Sequence, residues 1–147
     1  MTEATKVLEE FGIAYELILT SAHRTPQRTT KFASLAAGRG VKVIIVVAGV
    51  AAHLAGVIAS QTILPVVGIP INATALNGLD ALLSTVQMPG GIPVATMAIG
   101  KAGAKNASLF AARILALENA DLSARLSFYI KKMAKDVEKK QKNLGKS

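Results

Sequence analysis

The stretch "VKVIIVVA", residues 41–48, decides the fold. It holds six β-branched residues and one charge, Lys42. A run this short, apolar without alternation and preceded by the breaker "GRG" (38–40), reads as a strand buried on both faces. Such strands belong to parallel sheets covered by helices on either side. The next apolar run, "LPVVGIPI" (64–71), has the same character, and "IPVATMAI" (92–99) is a third strand. Between them lie helical segments: "AAHLAGVIAS" (51–60) and "LDALLSTV" (79–86). Residues 104–117 form an alanine-rich helix, and Asp121 or Ser123 begins a long last helix.

Working toward the N-terminus, "IAYELIL" (13–19) reads as another strand. Thr25 is placed to cap a helix that has Pro26 at its first position, where the missing N–H costs nothing. That helix reaches about Ala37. Ala4, Val7, Leu8 and Phe11 mark a short amphipathic helix, with Gly12 where a C-cap belongs. Strands alternating with helices over short connections predict a single three-layer α/β domain over residues 1–147 with a parallel sheet. The alternation opens on a helix, whereas a doubly wound sheet normally opens on a strand. In the 2-1-3-4-5 order that strand is internal, and its following turn is a usual phosphate site. The expectation is therefore that one strand and one binding loop, about 20 residues at typical element lengths, are missing from the start. Met1 would then fall inside helix one.

Composition narrows the function classes. The chain has 147 residues, 51% of them apolar, enough for a core and against disorder. It has no cysteine, which removes disulfides, thiolate metal sites and a cysteine nucleophile, and fits a reducing compartment. No apolar run is long enough to span a bilayer, and no export segment opens the chain. A cytoplasmic location without membrane attachment is expected. The net charge of +8 is concentrated: residues 131–147 carry seven lysines against Asp136 and Glu138. Ile130, Met133, Ala134 and Val137 give this lysine-rich segment an apolar stripe, so it begins as an amphipathic helix. A solvated lysine face explains the charge better than nucleic-acid binding, since interleaved aromatics are absent.

"SAHRTP" (21–26) is the first candidate site. Histidine serves proton transfer near neutrality and arginine forks onto phosphate. Local chemistry alone leaves His23 open between a catalytic group and a solvated loop histidine. Arg24 is a phosphate ligand or a surface arginine, and Ser21 binds substrate or shapes the turn. Thr25 and Pro26 are cap and helix start. His53 follows the buried strand, where ligands meet open α/β sheets, but its neighbours are apolar. It lines a site or is a satisfied core histidine. Two imidazoles without a third ligand make a poor zinc site, so no metal is expected. Gly49, Ala51 and Ala52 offer small surfaces and N–H groups at a helix head. "QMPGGIP" (87–93) is a structured turn. Asn77 and Asp80 are read as caps of the helix at 79. "GKAGAKNA" (100–107) lacks phosphate-loop spacing.

Taken together, "SAHRTP" (21–26), "AAHLAG" (51–56), "LPVVGIPI" (64–71) and "ALNGLDALLSTVQMPGGIPVATMAIGKAGAKNA" (75–107) carry a resemblance. The chain, from about residue 4 to 130, resembles the class I branch of the phosphoribosylaminoimidazole carboxylase family, the N5-carboxyaminoimidazole ribonucleotide mutases of purine biosynthesis. Class II carboxylases typically carry lysine and glycine where Arg24 and Thr25 stand. The resemblance implies a flavodoxin-like αβα sandwich, a homo-octamer, no cofactor and an aminoimidazole ribonucleotide substrate. It implies His23 as general acid and base, with Ser21, Arg24, Gly49, Ala51, His53, Met88 and Pro89 around the substrate. The family's opening strand and G-S-x-S-D phosphate loop have no counterpart before residue 21. Where the family often reads G-A-G-G-A-A-H-L-P-G, this chain has "VAGVAAHLAG" (47–56): Gly49 is kept, while Val47, Val50 and Ala55 replace two glycines and a proline. A mutase is expected, with a catalytically impaired octameric scaffold lacking the phosphate loop as the alternative; the loop is what separates them.

Overall fold

The structure, a computed structural model, describes residues 2–144. The chain forms two compact units that divide after Ala111.

The first unit is built on a three-stranded sheet of β1 (Ile44–Ala48), β2 (Val66–Pro70) and β3 (Ala95–Thr96), in that order and all parallel. Ile44 pairs with Val66 and Ala48 with Pro70; Val67 pairs with Ala95. Both faces of β2 are buried, as the continuous apolar run requires. One face packs on α2 (Pro26–Ala36) and α3 (Leu54–Ala59): Ile44, Val46 and Val66 meet Ala33, Ala36, Ala55 and Ile58. The other face packs on α1 (Thr2–Glu10) and α5 (Lys101–Ala116): Val67 and Ile69 meet Ala4, Ala104 and Ala107. α4 (Leu79–Val86) buries Ala81 and Thr85. These are helices on both sides of one parallel sheet, the three-layer arrangement expected. The buried Ser108 hydroxyl donates to the Ala4 carbonyl at 3.0 Å, so α5 and α1 are tied without an orphaned polar group.

Helix ends follow local chemistry. Gly12 takes φ 60° and closes α1, with Gly12 N–H bonded to Glu9 O and Ile13 N–H to Leu8 O, a Schellman pattern. A 3-10 turn (Ala37–Arg39) continues α2, and Gly40 ends it at φ 85°. In the second unit, α6 (Ala120–Leu144) starts at Asn119, whose side-chain carbonyl accepts the Leu122 N–H at 2.9 Å. Neither Asp121 nor Ser123 is the cap, because an amide two or four residues upstream already fills that place. On α6, Ile130, Met133 and Val137 remain exposed together with the lysines. Met1 and Lys146 lie outside the described residues. Among those residues, no helix is long and apolar enough to cross a membrane.

One expected strand is absent. Residues 13–20 run without turn or bend but join no sheet. Their amides and carbonyls make no backbone–backbone hydrogen bond from residue 14 to residue 20 among the described residues. A strand exists only through a neighbour that takes its N–H and C=O groups. Alternation in "IAYELIL" shows β-propensity but supplies no partner, and Leu17 and Leu19 stand exposed.

Candidate active site

Two loops meet at the carboxyl end of β1. The first, residues 21–25, leads into α2; the second, residues 49–53, leads from β1 into α3. His23 Nε2 and His53 Nδ1 are 2.9 Å apart, with ring planes at 88°. One nitrogen donates and the other accepts, so the pair holds this bond only while it carries at most one positive charge. His23 Nδ1 remains for a ligand. Both rings are exposed, so neither is a core histidine. Among the described residues no group of three or more His, Asp or Glu side chains is placed to hold a metal ion.

The first loop is fixed by hydroxyls. Ser21 O accepts from Thr25 N–H at 3.0 Å, Thr25 Oγ1 at 3.1 Å and Thr29 Oγ1 at 3.2 Å. Ser21 N–H donates to Thr25 Oγ1 at 2.9 Å. Thr20 Oγ1 lies 2.7 Å from the fully buried Thr29 Oγ1. Thr25 therefore occupies the N-cap position without capping: its hydroxyl is spent on Ser21, and no α2 N–H donates to it. Pro26 does sit at the first turn. Ser21 Oγ accepts the Arg24 N–H at 3.2 Å, which shapes the turn and leaves its own proton to donate. Arg24 is exposed, and among the described residues no carboxylate lies in salt-bridge range of it. Thr20 and Thr29 are the residues that sequence reasoning missed. The available signal was Thr25 and Thr29 at i and i+4, one side of a helix, just after another threonine.

The second loop is tight. A Cβ on Gly49 would come within 2.8 Å of the Ala73 Cβ and 3.0 Å of Ile71 Cγ1, so this glycine is required by packing. Val50 takes φ 59°, an outlier for a β-branched residue. Val47 lies in β1, where ordinary strand geometry suits valine. Ala51 is exposed and accepts the His53 N–H at 2.7 Å, while Ala52 is buried. His53 is the residue before α3.

The remaining candidates lie further along. The Met88 Sδ and Cε fill the space over Gly56 in α3, where a Cβ would sit 2.9 Å from either. Pro89 is exposed and opens a turn closed by the Ile92 N–H on its carbonyl at 3.2 Å. The expected caps of α4 are not caps. Gly78, at φ 87°, occupies that position. Asn77 Oδ1 instead accepts from Asn72 Nδ2 at 3.4 Å, and Asp80 Oδ2 from Thr74 Oγ1 at 2.9 Å. Asp80 Oδ1 is buried without a partner in the structure.

The hydrogen-bonded histidine pair lies at the carboxyl end of a strand, where open α/β sheets commonly meet ligands, and imidazole is the side chain suited to proton transfer near neutrality. Comparison with known proteins makes this specific. The family model described as AIR carboxylase matches residues 1–136. The chain is 56% identical over 144 residues to the N5-carboxyaminoimidazole ribonucleotide mutase of Pyrococcus horikoshii, covering 98% of this chain and 80% of that protein. It is 49% identical to the Thermotoga maritima protein of the same name, covering 98% and 83%. In fold it matches the crystal structure of Treponema denticola PurE with a TM-score of 0.84 at 23% identity, over 97% of this chain and 88% of that one. The chain belongs to the AIR carboxylase family.

Proposed function

We propose that this protein interconverts N5-carboxyaminoimidazole ribonucleotide and 4-carboxy-5-aminoimidazole ribonucleotide in purine biosynthesis, as an isomerase. The observation that carries the reading is the His23–His53 contact at the carboxyl end of β1, in a chain matched to the family across residues 1–136.

The chemistry needs one proton moved twice. As the carbamate N–C bond breaks, its electron pair stays on the exocyclic nitrogen, which takes a proton from His23. Carbon dioxide is released beside the ring. Ring carbon C4 then attacks it, a C–C bond forms, and His23 recovers a proton from C4. The ring is left aromatic and the histidine is restored, so protons balance over the cycle. One imidazole can fill both roles because it is both acid and base near neutrality. His53, bonded to Nε2, fixes the His23 ring with Nδ1 toward the substrate. Arg24 carries an unpaired fork for the phosphate, and Ser21 a hydroxyl proton for the substrate. Gly49 and Ala51 leave room along the second loop, and Met88 and Pro89 form the outer wall.

On the same reading the 147 residues work as one domain in a cytoplasmic homo-octamer, without nucleic-acid or membrane partners. The exposed stripe of Ile130, Met133 and Val137 supports a subunit contact. The test is turnover of N5-carboxyaminoimidazole ribonucleotide by the wild-type chain and by His23→Asn. The variant is expected to lose about 100-fold to 10,000-fold in rate with unchanged sedimentation. Wild-type turnover retained in the variant overturns the role of His23.

A further inference from the structure

Thr29 is a polar residue in an apolar row. α2 buries Thr29, Ala33 and Ala36 along one side. Ala33 and Ala36 pack on Ile44 and Val46 of β1, and Thr29 is as fully buried as either. A buried hydroxyl gives up its water and needs partners within the protein. The carbonyl one turn back, Thr25 O at 3.1 Å, would satisfy it alone. Thr29 Oγ1 reaches further, to Ser21 O at 3.2 Å and Thr20 Oγ1 at 2.7 Å, both ahead of the helix. The two carbonyls can only accept. With the single Thr29 proton shared between them, the Thr20 hydroxyl donates to Thr29 Oγ1, and every group is used. Ser21 O also accepts from the N–H and the hydroxyl of Thr25, the residue just before α2. Of these donors to Ser21 O, Thr29 is the one inside the helix. His23 lies midway along the turn closed in this way. Its ring is exposed, so the course of the turn, and not packing, decides where it stands relative to His53.

We infer that Thr29 is a positioning residue for the proposed proton transfer. Fully buried, it touches no substrate. Its hydroxyl ties the turn bearing His23 to the interior of α2, and α2 is seated on the strand from whose end the His53 loop departs. The hydroxyl serves this setting of the two rings more than it serves stability. A valine in its place would suit the alanine row. It would leave Ser21 O its two Thr25 donors, and leave the half-buried Thr20 hydroxyl a partner in Thr25 Oγ1 at 3.1 Å. No buried group is orphaned by that exchange, so its cost in stability is small. The catalytic consequence rests on the mutase reading; the setting of the rings does not.

The test compares Thr29→Val, which keeps the shape and removes the hydroxyl, with Thr29→Ser, which keeps the hydroxyl. Three quantities are read on the full chain: kcat and KM for N5-carboxyaminoimidazole ribonucleotide, the denaturation midpoint, and the NMR cross-peaks between the His23 and His53 rings without substrate. Thr29→Val is expected to lower kcat about tenfold, the scale of a small misplacement of a catalytic group. KM and the midpoint should change little, and the ring cross-peaks should weaken. Thr29→Ser is expected to recover most of both losses. Wild-type kcat and cross-peaks in Thr29→Val overturn the inference. Equal losses in the valine and serine variants also overturn it, as does a loss of kcat accompanied by a lower midpoint. If Thr29→Val does not fold, Thr20→Val removes the same bond from its outer side and is expected to weaken the cross-peaks; unchanged cross-peaks there overturn the inference. A wild-type chain without turnover is a failure of the mutase reading alone, and the cross-peaks then decide the role of Thr29.

Discussion

His23 Nε2 and His53 Nδ1 share one hydrogen bond of 2.9 Å although the residues come from different loops, one ahead of α2 and one ahead of α3. On the proposed mechanism this bond gives His53 a positioning role, exerted through His23. His53→Phe removes the bond and keeps an aromatic ring. It is expected to lower turnover about tenfold to a hundredfold, the scale of a small misplacement of a catalytic group, and to alter the pH–rate profile. A profile identical to wild type would assign His53 to packing alone.

Arg24→Ala is expected to raise KM for the ribonucleotide by about tenfold to a hundredfold, the worth of one charged hydrogen bond, with a smaller change in kcat. Arg24→Lys keeps the charge without the fork and should fall between. Steady-state kinetics on the two variants separate charge from geometry. An unchanged KM in Arg24→Ala removes Arg24 from the phosphate site.

Val50 holds φ 59° with its side chain 55% exposed, so little packing offsets the strain. Val50→Gly is expected to stabilise the protein by about 1 kcal/mol, the net of relieved left-handed strain and glycine's greater chain entropy. The denaturation midpoint reads the result, and a lower midpoint contradicts it.

These cases show what the sequence could and could not reveal. The strands 44–48 and 66–70 are legible because continuous β-branched runs suit little else than a covered parallel strand. The segment 13–19 has equal β-propensity, but pairing is a tertiary property and no residue in it encodes its neighbour. Val50 was visible as a valine where the family often has glycine; that the backbone keeps a glycine-like φ was not. Thr25 sat at the right place for a cap, yet the Ser21 amide competes for the same hydroxyl, and composition cannot rank the two. The pairing of the histidines depended on how two loops fold toward each other, which spacing of 30 residues leaves undetermined.

Gly68 in β2 faces α4, and an added Cβ would collide with the Thr85 methyl and come within 3.1 Å of Val94 Cγ1. Gly68→Ala is expected to cost about 1–3 kcal/mol through overpacking. Thr85→Ser removes the colliding methyl and keeps the hydroxyl that donates to Ala81 O at 2.7 Å. The double variant should recover part of the loss. Equal midpoints for the single and double variants would show that Thr85 is not the obstacle.

Tyr15 donates its phenolic proton to Glu9 at 2.7 Å, and this bond, with a small burial effect and the nearby negative charge, raises its pKa from the ordinary 10.0. A raised pKa favours the protonated phenol in the fold. The contribution is complete below the unfolded value and is lost as pH climbs through the folded one, above 10. Absorbance titration in a Tyr129→Phe background reports Tyr15 alone. Glu9→Gln is expected to move that titration to lower pH, and no movement would detach Tyr15 from Glu9.

α2 lies on β1 through Ala33 and Ala36, both fully buried and among the smallest side chains that a helix can present. The loop bearing His23 is fastened to this helix through Thr25 and Thr29, and the loop bearing His53 leaves the strand beneath it. The separation of the two imidazoles is thus a dimension of the hydrophobic interior. A single methyl group added at Ala33 would reach the spacing of two rings on separate loops.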